Sequence, residues 1–469
     1  MVLFPASFLI LAIWALVVLR SHTGPYLMTL AMLPFGMFAV VQVPSLGGLS
    51  ITATLLFASM AAGLAAFGGL FQLGRRELRL NPAAVALAVF TLYAIFSAVI
   101  LARYFEGAFL VYPISRGATG IQVSPNFPSV MAPLTRSSAN LSQTFYIIIA
   151  FAFFVAFCGW LRRTGPVAGE RLFAIAAGMN IVLGVLNIAE VDVILSWFQT
   201  ATYTLHDQQS MGGLRRAIGG FSEPSAFGAA TAAFFAYFAS AWAYSYRARD
   251  FTLAFANGCF VILSYSSTGF AALAVVFCIF ALKMLLSIKM KRERSVTIYS
   301  IIGFFAVLVV LGAIVASTQV LYLLIDLLDQ LFLSKLDSLS GQERSSWSES
   351  GLNAFYNTWG LGAGAGSLRS NGLLPVLLGS VGLPGTIAFF AFLWFAIGRS
   401  SRGISDPHMR RVYASAQVAA VAQLTAMTLS VIVPDPTLLL IICCAMASVA
   451  REKTVKVGKI ACLFPAART

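Results

Sequence analysis

The chain has 469 residues, of which 59% are hydrophobic and only 10% charged, and its mean hydropathy is +0.86. That composition excludes a soluble globular domain, because apolar runs of about 20 residues, the length that crosses a bilayer, recur from end to end. The formal net charge of +14 is no sign of nucleic-acid binding, since basic residues in such a chain report topology and contact with anionic headgroups.

In chain order, the runs predict an all-α polytopic membrane protein, one membrane domain over 1–469 with about thirteen transmembrane helices. They lie near 3–19, 26–43, 49–71, 83–102, 144–161, 171–190, 224–246, 251–265, 268–288, 297–318, 374–398, 411–433 and 437–450. No basic residue precedes the first run and Arg20 follows it, the pattern of a retained helix with its N-terminus outside rather than a cleaved leader. Placing Arg75, Arg76, Arg162, Arg163, Arg247, Arg249 and the Lys289–Arg294 cluster inside fixes every other loop. Of the 31 Lys and Arg residues, only Arg103, Arg116, Arg136, Arg215, Arg216, Lys335, Arg344 and Arg369 then fall outside. The expected topology has a periplasmic N-terminus and a cytoplasmic C-terminus. Five of the six cysteines fall in predicted spans and Cys462 in the cytoplasmic tail, so neither disulfides nor a metal cluster is expected.

Length accumulates in the outer loops, where function concentrates. The first, Arg103 to Gln143, carries Pro113, Pro125, Pro128 and Pro133 and reads as irregular. The second, Val191 to Ser222, ends in Arg215-Arg216. The third, 319–373, is the longest and opens on an amphipathic stretch. There Asp326, Asp329, Gln330 and Asp337 oppose Leu324, Leu327, Leu328, Leu331, Phe332 and Leu336, as in a helix lying on the outer bilayer surface. Its acidic side suits packing beside the protein's own arginines, and a lid over a site is one reading of it.

The chemistry gathers around Arg215-Arg216-Ala217-Ile218-Gly219-Gly220-Phe221-Ser222-Glu223-Pro224-Ser225. An arginine pair suits a diphosphate, because guanidinium forks match phosphate oxygens with paired hydrogen bonds. Ser222-Glu223-Pro224 has the pattern of a helix start with Ser222 as cap, and Glu223 is either a complement to the helix dipole or a general base. Arg344 is open to a surface ion pair with Glu343 or Glu349, and Arg369 to a role as membrane anchor. Tyr265-Ser266-Ser267-Thr268-Gly269 is a tight polar turn whose hydroxyls lie at the depth of Glu223. His206, the one outer histidine, has no partner for a metal site. The run Gly360 to Gly366 allows close backbone approach but lacks the preceding strand of a nucleotide-binding loop.

These segments together resemble the O-antigen polymerase and O-antigen ligase superfamily. Arg216 to Ser225 is similar to that family's Arg-x-x-Gly-x-Phe-x-acid-Pro segment, and Ser264 to Gly269 to its small polar hairpin. The outer loop with Arg344, Gly362, Gly364, Gly366 and Asn371, followed by Leu377 to Gly385, resembles its distal signature. The resemblance covers 170–400. It implies a GT-C-like, all-helical, metal-independent glycosyltransferase of the bacterial inner membrane that needs no cofactor. Such an enzyme takes glycans from undecaprenyl diphosphate at the periplasmic face.

Arg216 and Arg344 are the implied diphosphate clamps, Arg215 and Arg369 supporting candidates, and Ser267, Thr268 and Asn371 supporting polar groups. Ligases of the family place a histidine in the distal loop, which holds none here, so the expected base is Glu223 and the expected activity polymerisation of lipid-linked repeats into an envelope polysaccharide or exopolysaccharide. A chain-length regulator and export machinery are the partners such an activity implies. The alternatives are a ligase, a lipid-linked glycan flippase and a peptidoglycan strand polymerase. The outer clustering of arginines argues against the flippase.

Overall fold

A computed structural model describes residues 2–43, 49–70, 81–114, 120–122, 129–201, 210–211, 214–289 and 339–463. The protein is mostly helical and polytopic. Seven helices among the described residues are long and apolar enough to cross a membrane. These are α4 (Pro82–Tyr104), α5 (Ser138–Thr164), α6 (Pro166–Ile188), α7 (Pro224–Ser245), α9 (Ser267–Lys289), α11 (Leu373–Ile397) and α12 (Pro407–Ser430). Shorter apolar helices are α1 (Pro5–Arg20), α2 (Gly24–Ala31), α3 (Ala53–Leu70) and α8 (Ala248–Leu263). A further helix, α13 (Leu438–Leu463), is the last described element, and the run from Leu440 to Ala447 within it is fully buried. A stretch apolar on every side belongs inside a bundle, and the first half of α13, up to Ala450, is there.

The strongest association joins α7 to α12 and α8. The sequence explains it: Ala229, Ala230, Ala232, Ala233, Ala236 and Ala239 of α7 are buried, and so are Ala414, Ala416, Ala419, Ala420, Ala422 and Ala426 of α12. Between lipid-soluble helices the hydrophobic effect adds little, so small side chains that let backbones approach supply the attraction. Phe234, Tyr237 and Phe238 fill the wider gaps and Phe173 of α6 stacks among them. Exposed apolar side chains such as Val85, Val89 and Leu92 of α4 form the face a bilayer covers.

Four expectations change. The span 26–43 is not one helix: α2 ends at Ala31, Pro34 and Gly36 break the run, and Ala39–Val43 becomes a strand. Proline lacks the N–H that helix continuation needs, and the β-branched Val40, Val41 and Val43 favour extended chain. That strand, β2, pairs antiparallel with β1 (Val2–Leu3) and β3 (Leu49–Thr52), so the fold is not strictly all-α. In the loop expected over 103–143, short strands at Leu110–Val111, Ile121–Gln122 and Val130–Pro133 pair with one another, and α5 already begins at Ser138, capped by the Ser137 hydroxyl.

The fourth change lies in the third loop, where residues 339–357 form a 19-residue helix, α10 (Leu339–Asn357), docked on α11. The expected span at 297–318 and the amphipathic stretch at 324–337 lie outside the described residues. So does His206.

α11 is broken where the glycine run meets it. Gly382 sits at φ 60°, two residues before Pro384, and an added Cβ there would overlap the Leu361 carbonyl. The carbonyls freed at the break are taken up by the run itself: Ala363 N–H donates to Gly379 O (2.8 Å) and Gly364 N–H to Ser380 O (3.0 Å). In return Leu383 N–H donates to Gly360 O (2.8 Å). The glycines therefore serve backbone against backbone. Ser97 of α4 and Asn140 of α5 hold the same run from the other side, through Ala365.

Candidate functional site

The residues singled out around Glu223 converge at one end of the bundle, where α7 begins. Pro224 is the first residue of α7 and Glu223, in extended backbone, is its N-cap, so the helix starts one residue later than the Ser222 cap expected. The Glu223 carboxylate does not cap the first-turn amides; it accepts instead from the Ser225 hydroxyl. A carboxylate is thus held at the positive end of a membrane helix without being consumed by it.

The segment leading to Glu223 is clamped from three sides. Ala217 N–H donates to Leu263 O (3.0 Å) and Arg216 Nε donates to Ser264 O (3.3 Å), which seats the arginine on the polar turn at the end of α8. Asn187, near the end of α6, accepts from the N–H groups of Ile218 (2.9 Å) and Gly219 (3.3 Å). Met37 N–H donates to Gly220 O (2.9 Å), and a Cβ on Gly220 would overlap the Pro34 carbonyl, so only glycine lets the two strands of chain meet. The break in the expected second span is the seat for this loop: Gly36 leaves room for the Phe221 ring.

Arg344 arrives from α10, far along the sequence, and its charge acts on Arg216. Burial holds the Arg216 guanidinium below the ordinary arginine range; the Glu223 carboxylate opposes that shift and Arg344 adds to it. Like charges repel, so an anion taken up between Arg344 and the half-buried Arg216 would relieve both the repulsion and the desolvation. Among the described residues Arg344 makes no ion pair, and Glu343 accepts from the Ser129 hydroxyl instead.

The other sequence candidates divide. Ser267 opens α9 and Thr268 beside it is buried, so both belong to the turn that carries Arg216, whose Ser266 hydroxyl accepts from Gly269 N–H (3.4 Å). Arg215 is tied to Glu190 in an ion pair of 2.6 Å. Arg369 is a positioning group: its guanidinium lies 4.9 Å from the centre of the Trp347 ring and donates to Ile114 O (3.2 Å), while its backbone N–H donates to Tyr112 O (2.7 Å). It joins α10 to the loop between α4 and α5. Asn371 takes the Ser348 hydroxyl on its carbonyl (2.9 Å) and donates its side-chain N–H to Leu429 O (3.3 Å), fixing the end of α12 beside α10; its Oδ1 is buried and accepts no hydrogen bond.

Two residues that sequence reasoning missed matter here. Asn187 organises the loop, and its signal was one of two amides, with Asn180, in an otherwise apolar span. Asp435 stands between Pro434 and Pro436 in the turn joining α12 to α13, and Val431 of that turn accepts from Gly372 N–H (2.9 Å). Burial pushes the Asp435 carboxyl up to about 6, against the opposing hydrogen bond from Thr437 N–H (3.2 Å).

Among the described residues no cluster of three or more His, Cys, Asp or Glu forms a metal site. What the arrangement offers is anion recognition by two arginines beside a carboxylate, at the mouth of a membrane helix. No known protein-family model matches the chain, and no curated protein matches it either, so its chemistry is argued from its own residues.

Proposed function

We propose that this protein polymerises a bacterial envelope polysaccharide or exopolysaccharide at the periplasmic face of the inner membrane, using undecaprenyl-diphosphate-linked oligosaccharide repeats. The observation that carries this reading is that Arg344, remote in sequence, acts on Arg216 beside Glu223 at the start of one membrane helix. A diphosphate bridging the two guanidiniums leaves the lipid chain in the bilayer and the sugar above it. Glu223 takes the proton of an acceptor sugar hydroxyl as that oxygen forms its bond to the anomeric carbon. The bond from that carbon to the diphosphate breaks, and its electron pair leaves with the diphosphate. The arginines meet the growing charge in the way an oxyanion hole does. The helical membrane architecture and the resemblance of 170–400 to the polymerase and ligase superfamily support the same reading.

The test is the profile of lipid-linked glycans in cells carrying the wild-type, Glu223→Gln or Arg344→Ala protein. Single repeats are expected to accumulate in both variants, with polymer formation down by about 100-fold or more. Full polymer from both variants, each shown to be folded and inserted, would overturn the mechanism. Long chains piling up on the lipid without the protein would mean that it is a ligase.

A further inference from the structure

The opposite end of α7 holds a second polar assembly, independent of any reading of glycan transfer. A helix of 22 residues spans about 33 Å at 1.5 Å per residue, so this assembly lies at the other membrane surface. There a cavity of about 300 Å³ opens between the starts of α6, α8 and α12.

Its inner wall is a buried ion network. Glu170, 1% exposed, accepts from Arg411 (2.8 Å) and Arg249 (3.1 Å), and Arg249 also pairs with Asp250 (2.7 Å). Two cations and two carboxylates cancel there, and Ser245 adds a hydrogen bond to Asp250. Even so, Arg411 Nε and Glu170 Oε2 remain buried without partners.

The rim is not balanced. Arg171 and Arg247 line the cavity, are exposed, and make no ion pair among the described residues. The carboxylate of Asp406 is the only rim acid, and it is occupied in capping α12 through the N–H groups of His408 and Met409. Three helix N-termini face the same space, and α6 and α8 have no side-chain cap on theirs. Converging positive helix ends together with unpaired guanidiniums make an anion site, and guanidinium forks select phosphate oxygens.

We propose that this cavity binds a phosphate anion, held by Arg171 and Arg247 above the Glu170–Arg411 floor. Its position at the membrane surface makes the headgroup of an anionic phospholipid the first source to test and a soluble phosphate the second.

The experiment uses the full-length protein in detergent, followed by native mass spectrometry and thermal unfolding. It is titrated with phosphatidylglycerol, with zwitterionic phosphatidylcholine and, separately, with inorganic phosphate. Phosphatidylglycerol is expected to stay bound and raise the melting temperature, phosphatidylcholine to do neither, and the Arg171→Gln/Arg247→Gln protein to bind about tenfold more weakly or worse. Binding of inorganic phosphate with indifference to phosphatidylglycerol, lost in the same variant, supports the site with a soluble occupant. Binding of neither, or binding unchanged by the double substitution, overturns it. Should the double variant not fold, Arg247→Gln alone is expected to show the same loss in smaller measure.

Discussion

Arg216 is held by a carbonyl, buried by its loop and repelled by Arg344, and each of these contributes to what it can do. Lysine in its place keeps the charge but loses the planar fork that reaches Ser264 O and an anion at once. Arg216→Lys is therefore expected to lower polymer output by about tenfold or more while leaving membrane insertion unchanged, as read from the lipid-linked glycan profile. Asp435 makes a separate prediction. Its carboxyl titrates near 6 in the folded protein, above the range of an unfolded aspartate, so the folded state favours the protonated form. Whatever stability that gives is complete below about pH 4 and is lost as the pH rises through 6. Asp435→Asn should thus be more stable than the wild type at pH 8, by about 3 kcal/mol at most, with the gap closing below pH 4. Thermal unfolding in detergent across that range measures it; a gap that widens on acidification would contradict the sign.

Among elements, α7 was legible because charge, proline and an apolar run follow one another locally in the sequence. The helix α10 was not, since its polar surface carries no apolar period long enough to announce it and its support comes from α11 and from Ser129, whose hydroxyl accepts from Trp347 Nε1. The failure of 26–43 as a span has the same origin in reverse: hydropathy counts Pro34, Gly36 and three valines as membrane-like, while backbone chemistry breaks the helix there. Arg216 and Arg344 could be named together in the sequence only through the family resemblance, whereas the hold of Asn187 on the loop needed the fold to reveal it, because it joins α6 to a segment some 30 residues further along. At the break in α11, a side chain on Gly382 would collide with the Leu361 backbone at a φ that L-residues avoid. Gly382→Ala is expected to cost on the order of 1–3 kcal/mol and to lower the melting temperature, whereas Gly403→Ala, with open space around it, should leave it unchanged.

Among the described residues, three helices besides α7 join the two polar ends. α6 runs from Glu170 to Asn187, α8 from Arg249 to Leu263, and α12 from Arg411 to the carbonyl of Leu429 that receives Asn371. The proposed orientation puts the Glu223 end in the periplasm and the Arg247 end in the cytoplasm. Cysteines introduced singly at Glu349 and Arg402, with the parent chain as baseline, test it with a membrane-impermeant maleimide. Glu349→Cys should react in cells whose inner membrane is intact, and Arg402→Cys only after that membrane is opened; the reverse pattern would invert the topology.

The seam between the glycine run and the broken α11 is made of main-chain groups, Ala363 to Gly379, Gly364 to Ser380 and Leu383 to Gly360. Main-chain hydrogen bonds are blind to side-chain identity wherever the backbone can take up the shape. The platform that carries Arg344 toward Arg216 can therefore change most of its letters over evolutionary time and keep its form, provided that the few glycines stay. Relatives of this protein will be easier to find by the order of their glycines, arginines and the acid before proline than by overall similarity of sequence.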